Sequence, residues 1–129
     1  MFYVCRAMTQ LSKAEEQLMI HIWDLDRAYT RDIIERYSDP KPAVTTIATL
    51  LKRIKEKGFI DFIKVGKARE YFPLIKKEDY CKSNFDGMVS SLFNNSSLQL
   101  ASFFTRTSNL SKKELKKLRD MIDQEIEKK

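Results

Sequence analysis

The chain has 129 residues, a formal net charge of +6 and 43% hydrophobic residues, which fits one small domain with an appendage or an oligomerisation arm. Three glycines and three prolines are too few for linkers, low-complexity tails or an all-β fold, and no apolar run approaches the roughly 18 residues of a membrane span. Residues 1–75 hold 13 basic and 10 acidic side chains, and residues 76–129 hold 11 and 8, so each half carries +3 and only the placement of charges can point to a polyanion surface.

The opening MFYVCRAM has one charge, a short apolar piece and no small-residue cleavage site, so it does not read as a signal peptide. Met8 is an alternative start, and residues 1–8 read as an N-terminal extension. Cys5 and Cys81 lack CxxC spacing and read as reduced thiols of a cytoplasmic protein rather than as a disulfide or a metal pair.

Ser12, with Glu15 three residues on, predicts a capping box that opens the first helix. Ala14, Leu18, Ile22 and Leu25 give one apolar face, flanked by Met19 and by Trp23 as a core residue. His21 between them reads as a partly exposed or internally satisfied side chain rather than as a ligand. Asp24–Arg27 ends this helix. Ala28 and Tyr29 allow a very short extended piece. Thr30 is placed to cap a second helix from Arg31 to about Tyr37, with Ile33 and Ile34 inward. Ser38-Asp39-Pro40-Lys41-Pro42 then breaks the chain.

The stretch PAVTTIATLLKRIKEKGFI, Pro42–Ile60, predicts a third helix with two faces. Ile47, Leu50, Leu51 and Ile54 form a buried stripe, with Pro42 in the first turn and Gly58 just past the end. Thr45, Thr46, Thr49, Lys52 and Arg53 fall opposite. Glu56 is the single acid of the stretch, against Lys52, Arg53, Lys55 and Lys57. Short hydroxyls followed by long cations suit a helix in a DNA major groove, where small polar groups reach base edges and cations reach phosphates. By itself the segment leaves a second reading open, a surface helix with solvated lysines.

After Gly58 the period becomes extended. Residues 59–65 and 69–75 are rich in β-formers and are joined through Val65-Gly66-Lys67-Ala68. This hairpin, directly after a helix-turn-helix, carries Lys64, Lys67 and Arg69 at its tip and shoulders, which makes it a wing able to lie on the nucleic-acid backbone. Pro73 requires a sheet edge at its position.

From Lys76 the chain turns helical again. Tyr80, Phe85, Met88, Val89, Leu92 and Phe93 have amphipathic spacing, and Asn94-Asn95-Ser96-Ser97 interrupts them. Leu98, Leu100, Ala101, Phe103 and Phe104 form a short apolar segment. Ser111 with Glu114 is a second capping box before a last helix bearing Leu115, Leu118, Met121, Ile122 and Ile126. These pieces hold more large apolar residues than so few short helices cover alone. The expected answer is a two-fold dimer through Phe85, Met88, Leu92, Phe93, Leu100, Phe103, Phe104, Leu115, Leu118 and Ile122.

Four stretches now resemble the penicillinase repressor family: LSKAEEQLMIHIWDLD, TRDIIERY, TTIATLLKRIKEKGFI and GKAREYFPLIKKEDY, with LSKKELKKLRDMID similar to the family's last helix. The resemblance implies a homodimer of winged helices, joined through C-terminal helices, that represses genes from a palindromic operator. Thr46, Thr49 and Arg53 match family positions at the DNA surface, with Thr45 and Lys52 their neighbours. Ala48 stands where some relatives carry arginine, so the operator sequence is not carried over. Relatives induced by antibiotics are cut at an Asn-Phe pair, which makes a regulatory membrane protease a candidate partner. Here Ala101-Ser102 replaces that pair, which speaks against the protease. The copper-responsive branch uses a cysteine-rich tail, and the ending IEKK speaks against copper sensing.

The expectation is therefore a mainly α protein with a small β-hairpin: a winged helix-turn-helix at residues 9–76 and a helical dimerisation region at 77–129, with no cofactor and no metal. The rival is a winged helix used for protein contact, which salt-sensitive duplex binding separates from a DNA reader. An enzyme would need a nucleophile with its base or a metal cluster. The sequence offers one His, no Gly-rich phosphate loop and no HExxH.

Overall fold

A computed structural model describes residues 10–129, so the extension expected at residues 1–8, with Cys5, lies outside the described residues. The chain divides into two units, one ending at Gly87 and the other Met88–Lys129. In order, the elements are α1 (Lys13–Leu25), β1 (Ala28–Tyr29), α2 (Thr30–Glu35), α3 (Val44–Glu56), β2 (Ile60–Val65), β3 (Ala68–Pro73), α4 (Lys77–Leu92), α5 (Ser97–Thr107) and α6 (Lys112–Lys128). Among the described residues, no helix is long and apolar enough to cross a membrane.

The predicted capping box opens α1: the Ser12 N–H donates to Glu15 Oε1 at 2.9 Å and the Glu15 N–H donates to Ser12 Oγ at 3.1 Å. The buried stripe of α1 is Leu18, Met19 and Ile22. Ala14, expected on that face, is exposed, and Glu15 is buried in its place. The reason is a partner 42 residues away: Lys57 Nζ reaches Glu15 Oε1 at 2.6 Å and also bonds the Gln10 carbonyl at 3.1 Å. The start of α1 is thereby tied to the end of α3. Burial pushes the Glu15 carboxyl up, but the Lys57 ammonium and the Ser12 N–H outweigh it and hold the carboxyl below its ordinary value.

α2 starts at Thr30 itself, so Thr30 is not the cap. Asp32 closes this end by accepting from the Tyr29 N–H at 3.1 Å. The helix stops at Glu35 rather than Tyr37, because Lys41 Nζ takes up the carbonyls of Glu35 at 3.2 Å and Tyr37 at 2.6 Å. Arg36 Nη2 pairs with Asp24 Oδ2 at 3.0 Å and fixes α2 to the end of α1.

α3 begins after Ala43, two residues beyond Pro42, which lies outside the first turn expected for it. Its C-terminal end is a Schellman motif. Gly58 adopts φ +85°, its N–H donates to the Lys55 carbonyl at 2.9 Å, and the Phe59 N–H donates to the Ile54 carbonyl at 3.2 Å. Ile54 and Phe59, which the motif brings together, are both fully buried; burying a side chain of this size contributes about 1.5–3 kcal/mol. The predicted stripe Ile47, Leu50, Leu51 and Ile54 is the buried face of α3.

β2 and β3 pair from Ile60↔Pro73 to Val65↔Ala68, which leaves Gly66-Lys67 as the two-residue turn. Gly66 has φ +64° and Lys67 does not enter the positive region, the pattern of a type II′ hairpin. The sheet order is β1-β3-β2, so β3 is central only where the short β1 covers it, Ala28↔Tyr71 and Tyr29↔Glu70. At Pro73 β1 has ended, and the strand is an edge on that side as its proline requires.

The core of this unit joins Leu18, Met19 and Ile22 of α1, Ala28, Ile33, the α3 stripe, Phe59, Ile60 and Tyr71 with Tyr80 from the start of α4. Trp23 donates its indole N–H to the Ile75 carbonyl at 2.8 Å and packs on Tyr80, ring centroids 5.7 Å apart. His21 meets the edge of the Tyr37 ring at 4.7 Å, and burial, then the Arg36 charge, push its imidazole below the ordinary value while Asp24 pulls the other way.

In the second unit Asn94 and Asn95 take φ +51° and +62°, left-handed positions that asparagine tolerates. Ser96 then caps α5 by accepting from the Gln99 N–H, and Ser111 with Glu114 forms the predicted box on α6. Phe93 and Phe103 pack at 5.6 Å, yet neither α5 nor α6 buries a single residue.

Candidate nucleic-acid interface

All five predicted positions of α3, Thr45, Thr46, Thr49, Lys52 and Arg53, are exposed. The cations of this helix and its cap divide into two groups. Lys57 is engaged by Glu15, and Lys55 lies 3.9 Å from Asp61 and 5.8 Å from the centre of the Phe62 ring. Lys52 and Arg53 have no ion pair among the described residues. The two cations left free are thus the two that share the face of the threonines. Thr49 Oγ1 donates to the Thr45 carbonyl at 3.0 Å, which uses its proton internally and leaves the oxygen to accept and the methyl to make apolar contact. On the outer face of α3, Val44 is also 63% exposed, close to the helix start.

Lys64, Lys67 and Arg69 are exposed on the hairpin. Lys64 and Arg69 are direct cross-strand partners. Like charges placed opposite each other destabilise a ladder, a cost that an anion between them would remove. The Arg69 guanidinium carbon sits 4.5 Å from the centre of the Phe62 ring, which restrains a long side chain at the strand shoulder.

Nothing in the local sequence pattern singles out Arg31. It reaches the same region because β1 pairs Tyr29 with Glu70 and the chain then turns straight into α2, leaving Tyr29, Thr30 and Arg31 beside Lys67, Ala68 and Arg69. A two-residue strand gives no periodic signal, so the register that makes this neighbourhood was not legible.

The positions expected to dimerise are largely open. Phe85, Met88, Leu92, Phe103, Phe104, Leu115 and Ile122 are exposed, Leu92 at 72% and Ile122 at 50%, while Phe93, Leu100 and Leu118 are half-buried. Leu98, Met121 and Ile126, not among those ten, are exposed by 61% or more.

A profile described as penicillinase repressor matches residues 11–124. The methicillin resistance regulatory protein MecI of Staphylococcus aureus (strain N315) is 29% identical over 115 residues, 88% of this chain and 94% of that protein. The penicillinase repressor of Bacillus licheniformis is 25% identical over 120 residues, 92% of this chain and 94% of the other. Among solved structures, the solution structure of the DNA-binding domain of the repressor BlaI is similar at 33% identity and a TM-score of 0.49, covering 55% of this chain and 88% of that one.

Proposed function

We propose that this chain, which belongs to the penicillinase repressor family, is a DNA-binding transcriptional repressor rather than an enzyme, and that it acts as a homodimer on a palindromic operator. The observation that carries the proposal is the division of charge on α3. Lys57 is paired with the buried Glu15 and Lys55 lies 3.9 Å from Asp61, while Lys52 and Arg53 beside the exposed threonines have no ion pair among the described residues and are left for a partner. In this reading each subunit lays α3 in a major groove, Thr46 and Thr49 meet base edges or thymine methyls, Lys52 and Arg53 hold phosphates, and Thr45 lies at the groove edge. Lys64, Lys67 and Arg69 of the wing add backbone contacts. Two-fold symmetry then sets the half-sites about 10 base pairs, or a multiple of one helical turn, apart.

The dimer is supported by an imbalance in the second unit, where Val89 is the one buried residue among fourteen large apolar side chains. A unit of this size cannot hold its own fold on so little burial. A second copy of α4 to α6 offers the same apolar faces by symmetry, and an isologous contact closes after two chains.

Selection of bound sites from random duplex DNA with the purified protein tests the proposal. A palindrome among the selected sites is the expected result, and binding with no salt dependence or no duplex binding at all would return the chain to a protein-contact role. Arg53→Ala is expected to weaken all duplexes together and to lower the salt slope by about 1. Thr49→Ala is expected to relax preference at one base position by about 1–3 kcal/mol. An Arg53→Ala protein with the wild-type slope would remove that residue from the phosphate contacts.

A further inference from the structure

Between the wing and the start of α2 lies an open cleft of about 600 Å³, lined by Tyr29, Thr30, Arg31, Val65, Lys67, Ala68 and Arg69. Three of the seven lining residues are cations and none is an acid. Arg31 and Lys67 have no ion pair among the described residues. The Tyr29 phenol and the Thr30 hydroxyl add neutral donors. The cleft exists because β1 stops after two residues: β3 runs on to Ala68 and Arg69 with no strand on that side, while α2 turns the chain away.

Two features make this more than a solvated basic patch. The Arg31 guanidinium carbon lies 5.9 Å from the centre of the Tyr29 ring, and that of Arg69 lies 4.5 Å from the centre of the Phe62 ring. Two of the three cations are thus restrained on aromatic faces, which lowers the ordering cost of binding an anion. The third, Lys67, is held at the second position of a tight turn whose conformation is fixed by Gly66. The cations also come from elements distant in sequence, so the cleft measures the distance between wing and helix.

We infer that this cleft seats a phosphodiester of the duplex backbone, gripped by Arg31 from the α2 side and by Lys67 and Arg69 from the wing. The inference rests on the DNA-binding reading above and deepens it: the wing and the helix-turn-helix close on one strand together, and Arg31 joins the contact set. A phosphate is the anion that fits, since it presents several acceptor oxygens to donors on both walls, and Arg can engage two of them at once.

The test compares full-chain wild type with Arg31→Ala, Arg31→Lys and Lys67→Ala on duplexes carrying one uncharged methylphosphonate stepped along the backbone. Wild type is expected to lose about tenfold in affinity at one backbone position per half-site. At that position Arg31→Ala and Lys67→Ala lose little further, because the contact is already gone. On an unmodified duplex Arg31→Ala lowers the salt slope by about 1, alike for operator and unrelated sequences, and Arg31→Lys restores most of it. The exposed Arg31 is expected to leave the melting temperature unchanged in these variants. If Arg31→Ala melts early, Lys67→Ala carries the same comparison. A wild type that binds duplex while both alanine variants keep its slope and its methylphosphonate pattern overturns the cleft and leaves the repressor reading standing. A wild type that binds no duplex removes both.

Discussion

A chain carrying both Leu115→Asp and Ile122→Asp should be a monomer, and its affinity for a duplex with two half-sites should fall by about 10²–10⁴-fold, the gain that linking two binding events normally provides. Leu115 and Ile122 lie seven residues apart, two turns of α6, and so share a face that is 38% and 50% exposed at these positions. The helix itself does not need them: Ser111 and Glu114 cap it, and nothing on it is buried. Charge on that face should therefore leave α6 formed while placing two carboxylates in the proposed dimer contact. Affinity for a duplex with a single half-site should stay within about twofold, because the α3 surface is untouched. Sedimentation equilibrium beside the two binding titrations checks the expectation. A double variant that stays dimeric, or a wild type that is monomeric at micromolar concentration, would remove α6 from the interface.

The second large effect concerns stability. Lys57→Met is expected to cost about 3 kcal/mol, read as a lower midpoint in urea with an unchanged slope. The Glu15 side chain is 4% exposed and would keep only the Ser12 N–H as partner. Lys57 is itself 30% exposed on its side chain, so its ammonium is partly hydrated, and the loss falls at the lower end of the range for a broken buried pair. Glu15→Gln added to Lys57→Met should recover part of it, since a neutral amide is cheaper to leave in that place than a carboxylate. No recovery would mean that Lys57 acts through packing of its stem instead.

The same pair sets the response to acid. The folded-state pKa of Glu15 is lowered, so its contribution is present above the ordinary carboxylate value and is lost as pH falls through the folded value. His21 is lowered as well, and for a base the sign runs through the unfolded chain. Below about pH 6.5 the unfolded imidazole binds a proton that the folded one resists, and stability declines from there. The wild type should therefore lose stability in two stages on acidification, the upper one absent from a His21→Phe variant.

Much of this fold is legible because it obeys short-range rules. Ser12 with Glu15 and Ser111 with Glu114 cap their helices as the spacing requires, Gly58 and Gly66 stand at the positive-φ positions, and the stripe of α3 is the buried one. The exposed threonines and cations follow from the same periodicity. The misreadings arise where a distant partner decides. Ala14 yields its place to Glu15 because Lys57, 42 residues on, neutralises the carboxylate. Two local readings also shift: Asp32 rather than Thr30 closes the start of α2, and α3 begins after Ala43, which leaves Pro42 outside its first turn. Arg31 comes to the wing through a two-residue strand whose register no local pattern announces.

Trp23 is the single tryptophan of the chain, and its indole is fixed to the Ile75 carbonyl where β3 hands over to α4. The protein therefore carries a built-in fluorophore at that joint. Any event that frees the start of α4 should shift its emission to the red as water reaches the ring, so the loosening of this junction can be timed without a label.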